Sequence, residues 1–529
     1  MTRLPSASEA RSAVARLLLG LALAGCGTAS VVRPSDLPRD QQARTAIEIP
    51  ETTEHWQGEM VGEVTQDSAI LQARLSVKGT AVFGDIQGRP GIGAFALSTS
   101  EGFQDGFRTR WMGATPEGDY ILKTKVTDLQ PGTRYYYKLL SGPDIGSFQA
   151  GPKGTFRTLA NSGTSRRARL IVATSMQRYS FRATVLTDLD FKRRVLGFPS
   201  LETIVAHDPD FYVATGDNVY RDTPYVGRAA TLEPMRAKWH KQFATPRFAL
   251  LFQHVPVYWM KDDHDFRYDD ADPHGSIAPS AELGAAVFRE QVPVVDPQDE
   301  SAVTYRTHRV NDLLQIWLLE ARDYRDANTR PPSPDKTMWG PDQKAWLKQT
   351  LLESDAAFKI IFSPTPMVGP DDAMKEVQGG VLAPLFGGRA IGQEHDKRKR
   401  DNHTNSYGFK DEADAFFDWL IENGFLEKNL TFICGDRHWQ YRSIHPLGFE
   451  EFSAGAIIDG SARLGPKPGD ALSTDPDGLI TQVYWQQEPS GGFLEVTVDP
   501  PAGKTPAQAT FAFYDEYGVL LYTVVKPAR

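Results

Sequence analysis

Cysteine is almost missing from this chain: there are two in 529 residues, Cys26 and Cys434. That excludes a disulfide framework and any thiolate-rich zinc or iron–sulfur cluster. An excess of basic charge is missing too. Lys and Arg number 58 against 67 Asp and Glu, a net charge of −9, which argues against a general nucleic-acid binder while leaving room for a local basic pocket. Beyond a short run near the N-terminus, no stretch is long and apolar enough to cross a bilayer as a helix. There is no internal repeat and no low-complexity tract. The remainder is an ordinary globular composition, 40% hydrophobic and 24% charged. The chain is long enough for two or three domains with full cores.

What stands out is a set of short apolar runs that each end in acidic residues. Phe211-Tyr212-Val213-Ala214-Thr215 leads into Gly216-Asp217-Asn218-Val219-Tyr220, and Val255 to Met260 leads into Lys261-Asp262-Asp263-His264-Asp265. Leu430-Thr431-Phe432-Ile433-Cys434 leads into Gly435-Asp436-Arg437-His438. Runs this short and apolar read as strands buried on both faces, and in open α/β sheets function gathers beyond the carboxyl ends of the strands. Strand ends carrying Asp and His, with no Cys cluster, point to hard or borderline metal ions and to metal-assisted hydrolysis, foremost of a phosphate ester. Two ions roughly 3.5–4 Å apart, joined by a carboxylate, can activate water, neutralise phosphoryl oxygens and help the leaving group. Asp217 is the candidate bridge. The four consecutive ionisable groups at 262–265 repel one another unless solvated or metal-bound. Asp436 and His438, two apart, face the same way in an extended chain.

The N-terminus reads as a targeting signal. Arg3, Arg11 and Arg16 precede the apolar Leu17 to Ala24, a segment too short to be a mature membrane span. Leu23-Ala24-Gly25-Cys26 resembles a bacterial lipobox, which implies cleavage before Cys26, lipid on its sulfur, and a protein exported and anchored to the cell envelope. That accounts for residues 1–25 as signal and 26–54 as a flexible tether. Between 55 and 160, short alternating stretches separated by Gly- and Pro-bearing turns indicate a small β-sandwich; Leu129-Gln130-Pro131-Gly132-Thr133-Arg134-Tyr135 resembles a fibronectin-III-like turn and strand. From 168 to 529 strands alternate with amphipathic helices, at Leu201–Ala206, Asp342–Leu352 and Asp411–Asn423, which is the pattern of a layered α/β domain. Leu494–Val498 and Ala509–Val525 are expected to complete a sheet edge. The stretches 265–300 and 364–403 read as long loops that wall the pocket.

From Gly62-Glu63-Val64-Thr65 through Gly435-Asp436-Arg437-His438, the motifs together resemble the PhoD-like alkaline phosphatases, within the calcineurin-like metallophosphoesterases. The resemblance implies phosphomonoesterase or phosphodiesterase activity in an α/β metallophosphoesterase domain preceded by a β-sandwich. It implies Ca2+ and Fe3+, with Asp217 bridging, Tyr220 on the ferric ion, Asp263 as a ligand, and Asp436, His438 and His403 completing the shell. It casts His264 as the group beside the leaving oxygen and Arg322 as a second catalytic residue, with Asn218 and Arg437 binding substrate. The chain departs from the family in Met176, where the family has an iron-binding Cys after Ser. It also departs in Lys261 for Trp, Asp269 for Asn, and Glu320-Ala321-Arg322 for Asp-Thr-Arg. A thioether is a poor ligand for ferric iron, so Met176 supports an alternative: a surface-binding lipoprotein that kept the fold and lost the chemistry.

Overall fold

Strands that are apolar at every position need cover on both faces, and the architecture supplies it with two stacked sheets between layers of helices. The computed structural model describes residues 57–77, 85–187, 195–224, 227–374 and 398–529; Cys26, the signal segment and the tether lie outside them. One sheet has nine strands, in the order Leu520–Pro527, Gln508–Asp515, Gly492–Asp499, Ala168–Ala173, Phe211–Ala214, Val257–Trp259, Glu59–Gly62, Ala69–Arg74 and Ile121–Val126. Its central strands, from Ala168–Ala173 to Glu59–Gly62, are parallel. The second has seven, and within it Leu314–Leu318, Phe358–Ser363, Leu430–Cys434 and Glu450–Ala454 run parallel.

Strand residues alternate between two cores, as the period-2 pleat requires. Leu170, Val172, Phe211, Val213, Tyr258 and Met260 meet Leu314, Ile316, Ile360, Phe362 and Ile433 between the sheets. On the outer face of the nine-stranded sheet, Ile171, Ala173, Tyr212, Ala214 and Trp259 pack with Leu201, Met235, Trp239, Phe248 and Phe288. These last come from the helices Pro199–Ala206, Leu232–Phe243, Pro246–His254 and Ala281–Gln291. On the outer face of the other sheet, Trp317, Ile361 and Phe432 pack against Leu347 of helix Gly340–Glu353 and Phe416, Phe417 and Leu420 of helix Lys410–Glu422. Gly424, at φ 69°, ends the latter as its position in the sequence indicated.

The N-terminal β-sandwich shares a sheet with this body. Val61, Leu71, Ala73, Leu122 and Val126 belong to the nine-stranded sheet and face Phe95, Leu97, Tyr135, Tyr137 and Phe156 of a six-stranded sheet. Buried polar contacts tie the two parts further. Asp119 accepts hydrogen bonds from Arg74 (3.0 Å) and Gln291 (2.7 Å) and lies 2.6 Å from His240 Nε2. The C-terminal strands complete a sheet edge as expected. The stretch 265–300 is not one long loop: helix Ala281–Gln291 occupies its centre, capped by Ser280 accepting from Leu283 N–H at 3.2 Å. Among the described residues no helix is long and apolar enough to cross a membrane.

Candidate metal centre

Carboxylates from both sheets converge where strands Phe211–Ala214, Val257–Trp259 and Leu430–Cys434 end. Gly216, at φ 106°, makes the first approach possible, because a Cβ there would lie 2.6 Å from Asp262 Cβ. Asp217 and Asp436 both hold left-handed backbone conformations, at φ 56° and 61°, a strain that a packed functional site can sustain. One group of possible ligand atoms, all within 4.8 Å of one another, comprises Asp217, Asp262 and Asp436. A second within the same limit comprises Asp217, Asp263 and His264, and a third Asp263, Asp269 and Asp270. Asp217 thus joins the first two groups, the position a bridge must take.

The electrostatics follow from this crowding. Burial, then the negative charges of Asp263, Asp262 and Asp265, push the Asp217 carboxyl well above its usual range, with His264 opposing. Burial also raises Asp262, against the pull of Arg322. Asp263 is buried too, yet His264 and Arg322 outweigh the burial and hold it far below the usual range. Asp217 Oδ1 and Asp262 Oδ2 are buried with no N–H or hydroxyl donor facing them. A buried carboxylate oxygen without a donor is costly, and cations at this point would remove the cost, so the donor set fits bound metal ions.

The remaining side chains frame the cluster. Tyr220 donates its hydroxyl to Asp217 Oδ2 at 3.0 Å and lies 3.3 Å from His438 Nε2. Its ring packs on that of His264, centroids 4.0 Å apart. His438 Nδ1 sits 2.5 Å from the Ser461 carbonyl, and burial, then the charge of Arg463, lower its pKa to about 3. The neutral ring donates Nδ1–H to that carbonyl, leaving the Nε2 lone pair toward the cluster. His264 Nδ1 is 2.7 Å from Asp222 Oδ1. Burial works against its charge, but Asp222, Asp263 and Asp217 raise its pKa well above the ordinary value.

A family model described as PhoD-like phosphatase matches residues 189–463, and one described as the N-terminal domain of that family matches residues 42–160. The chain belongs to the PhoD-like phosphatase family. It is therefore a phosphoric ester hydrolase. Among solved structures, one titled as the structure of PhoD is similar with a TM-score of 0.64 at 17% identity, covering 90% of both chains. The purple acid phosphatase PPD1 of yellow lupin (Lupinus luteus) has a TM-score of 0.51 at 11% identity, over 89% of this chain and 74% of its own. Both likenesses are of fold. The search of curated proteins returned no match.

In this PhoD-like phosphatase the structure brings together Asp217, Tyr220, Asp263, His264, Asp436 and His438, as the motifs indicated. Four expectations need correction. Like His438, which meets Tyr220 at the cluster's edge, His403 is in none of the ligand-atom groups found among the described residues. It is a buried core histidine whose Nε2 lies 3.0 Å from Glu412 Oε2 and whose ring packs near Trp339. Asn218 is not open to substrate, because its amide donates to the Met260 carbonyl (2.8 Å) and Asp265 Oδ2 (3.1 Å), fastening one strand-end turn to the next. Arg437 is fully buried, bonded to Asp371 Oδ1 at 2.9 Å with Nη2 2.6 Å from Asp436 Oδ2. Arg322 is also fully buried, with Nε on Asp262 Oδ1 at 2.5 Å, so it positions a carboxylate and is not laid out for a phosphoryl group. Lys399 pairs with Asp371 at 2.8 Å.

Sequence reasoning missed Asp222 and Ser461, and it named Asp262 within the 262–265 cluster without giving it a ligand role of its own. The doubled Asp before His264 was the available signal for Asp262, and nothing local marked Ser461. Met176 is buried in the core on the outer face of the nine-stranded sheet, while Ser175 Oγ approaches Asp217 Oδ2 at 3.5 Å. The departures Lys261 and Glu320 are each other's partners, Nζ to Oε1 at 2.9 Å. His403→Ala is expected to keep full metal content while lowering the thermal midpoint by several degrees, since it strips Glu412 of a buried partner. Metal analysis and a melting curve check this, and a loss of metal without a loss of stability would restore His403 to the centre.

Proposed function

We propose that this phosphoric ester hydrolase works through at least two metal ions held by Asp217, Asp262, Asp263, Asp436 and His438, with Tyr220 at the edge of the cluster. The observation that carries the reading is the sharing of Asp217 between two groups of possible ligand atoms. Bound ions would supply an activated water and neutralise the phosphoryl oxygens. The donors are mostly carboxylates, which suit hard ions such as Ca2+, and the Tyr220–His438 side suits a harder or borderline ion such as iron. With Met176 packed in the core, iron would have to be held without sulfur.

His264 is the general acid in this reading. Asp222 holds its Nδ1, so Nε2 is the atom that gives a proton to the departing oxygen, and the Asp222 carboxylate favours the protonated ring. Arg322 holds Asp262 in position and opposes the burial that raises its pKa. We further propose that the protein is exported and anchored by lipid on Cys26, as the lipobox resemblance implies. The non-catalytic alternative draws on Met176 alone, and the retained cluster outweighs it.

Chelation should abolish hydrolysis of p-nitrophenyl phosphate and metal addition should restore it, whereas a chelation-resistant activity would refute the reading. His264→Asn is expected to lower kcat about a hundredfold or more on esters with poor leaving groups. The loss should shrink on p-nitrophenyl phosphate, whose leaving group needs little protonation; an equal loss on both would remove His264 from that role. Cys26→Ser should release the full-length protein from the membrane fraction and abolish fatty-acid labelling, and unaltered labelling would refute the anchor.

A further inference from the structure

Among the described residues, Arg322 and Arg437 are buried in ion pairs with the centre's own carboxylates. Lys261 and Lys399 are likewise buried, on Glu320 and Asp371. Arg463 is placed differently. Arg463 is bonded to the centre through its backbone, its N–H donating to the His438 carbonyl at 3.1 Å. Its guanidinium carbon lies 4.6 Å from the centroid of the Trp439 ring, the residue after His438. Arg437 also lies over that ring, at 5.6 Å. Trp439 therefore carries two guanidinium groups, one sealed in by carboxylates and one facing water.

The exposed one is only lightly held. Arg463 Nη1 reaches Asp372 Oδ2 at 3.3 Å, but the two side chains are 46% and 41% exposed, and such pairs contribute little. A phosphoryl group can displace Asp372 without leaving a buried charge behind. The segment is also shaped to sit there. A Cβ on Gly465 would fall 1.9 Å from Trp439 Cε2, so only glycine lets residues 463–465 lie against the indole.

We propose that Arg463, held over Trp439 at the mouth of the metal centre, is the cation that receives the substrate's phosphoryl oxygens and biases the site toward phosphomonoesters. This rests on the hydrolase reading above. A guanidinium offers paired N–H donors matched to phosphate oxygens. A monoester carries a second negative charge above about pH 6, whereas a diester keeps one, so the monoester gains more from that fork. The cation–π contact keeps the fork over the ring and reduces the freedom lost on binding.

The test compares wild type, Arg463→Met, Arg463→Lys and Gly465→Ala in the metal-loaded full chain. It reads KM and kcat on p-nitrophenyl phosphate and bis-p-nitrophenyl phosphate, calorimetric affinity for inorganic phosphate, and metal content. Arg463→Met should raise KM for the monoester about tenfold or more and weaken phosphate binding in parallel. It should change the diester KM by less than about threefold, with metal content intact. Arg463→Lys should recover part of the loss, and Gly465→Ala, which pushes the segment off Trp439, should follow Arg463→Met. Unchanged monoester KM, equal losses on both esters, or a fall in metal content would overturn the role. A wild type with neither metal nor turnover would bring down the hydrolase reading itself, a result distinct from an active wild type indifferent to Arg463→Met.

Discussion

The mutual repulsion of Asp217, Asp262, Asp263 and Asp436 is the constraint on which the rest of this molecule is arranged. Buried carboxylates at such separations cannot all be ionised without cations nearby. The protein provides some of that charge itself. Arg322 reaches Asp262, and Arg437 reaches Asp436, each with no solvent access. These arginines resemble substrate-binding residues when read from the motif, yet their charge is already committed to the cluster. What they leave uncovered, notably Asp217 Oδ1 and Asp262 Oδ2, is where metal charge belongs. A buried ion pair is weak evidence for stability, and here the pairs make better sense as a means of holding ligands in a fixed geometry.

The two-sheet stack makes that convergence possible. Asp217 and the Asp262–Asp263 pair leave one sheet, and Asp436 and His438 leave the other. The apolar layer between the sheets sets how closely the strand ends approach. The β-sandwich is part of the same frame, because its first sheet is the edge of the nine-stranded sheet. Asp119, with Arg74 and Gln291 on it and His240 beside it, fixes it to the helical face. A mutation in the sandwich can therefore reach the site through strand Val257–Trp259, which pairs with Glu59–Gly62.

Much of this was legible in the sequence because it is local. Apolar runs ending at Gly-Asp mark strand ends, and the spacing of Asp436 and His438 puts both at one place. The sandwich strands showed in their turn chemistry, and helix Lys410–Glu422 in its period and terminal glycine. What was not legible depends on partners far away in the chain. Whether Arg437 is free or sealed is decided by Asp371, and the fate of Arg322 by Asp262. His403 looked like a loop histidine until Glu412 and Trp339 closed around it. Lys261 and Glu320 read as two separate departures from the family, and only the fold shows them meeting, with one buried ammonium between the Glu320 and Asp323 carboxylates. Met176 marks a departure by resemblance alone, and the sequence could not say that its side chain packs into a core.

The most direct test of the account is anomalous-scattering crystallography of the metal-loaded protein. The account predicts at least two ions that share Asp217, one also touching Asp262 and Asp436 and another also touching Asp263, with none at His403. An ion bound by His403 and Glu412, or a metal-soaked crystal with no ion on Asp217, would contradict it.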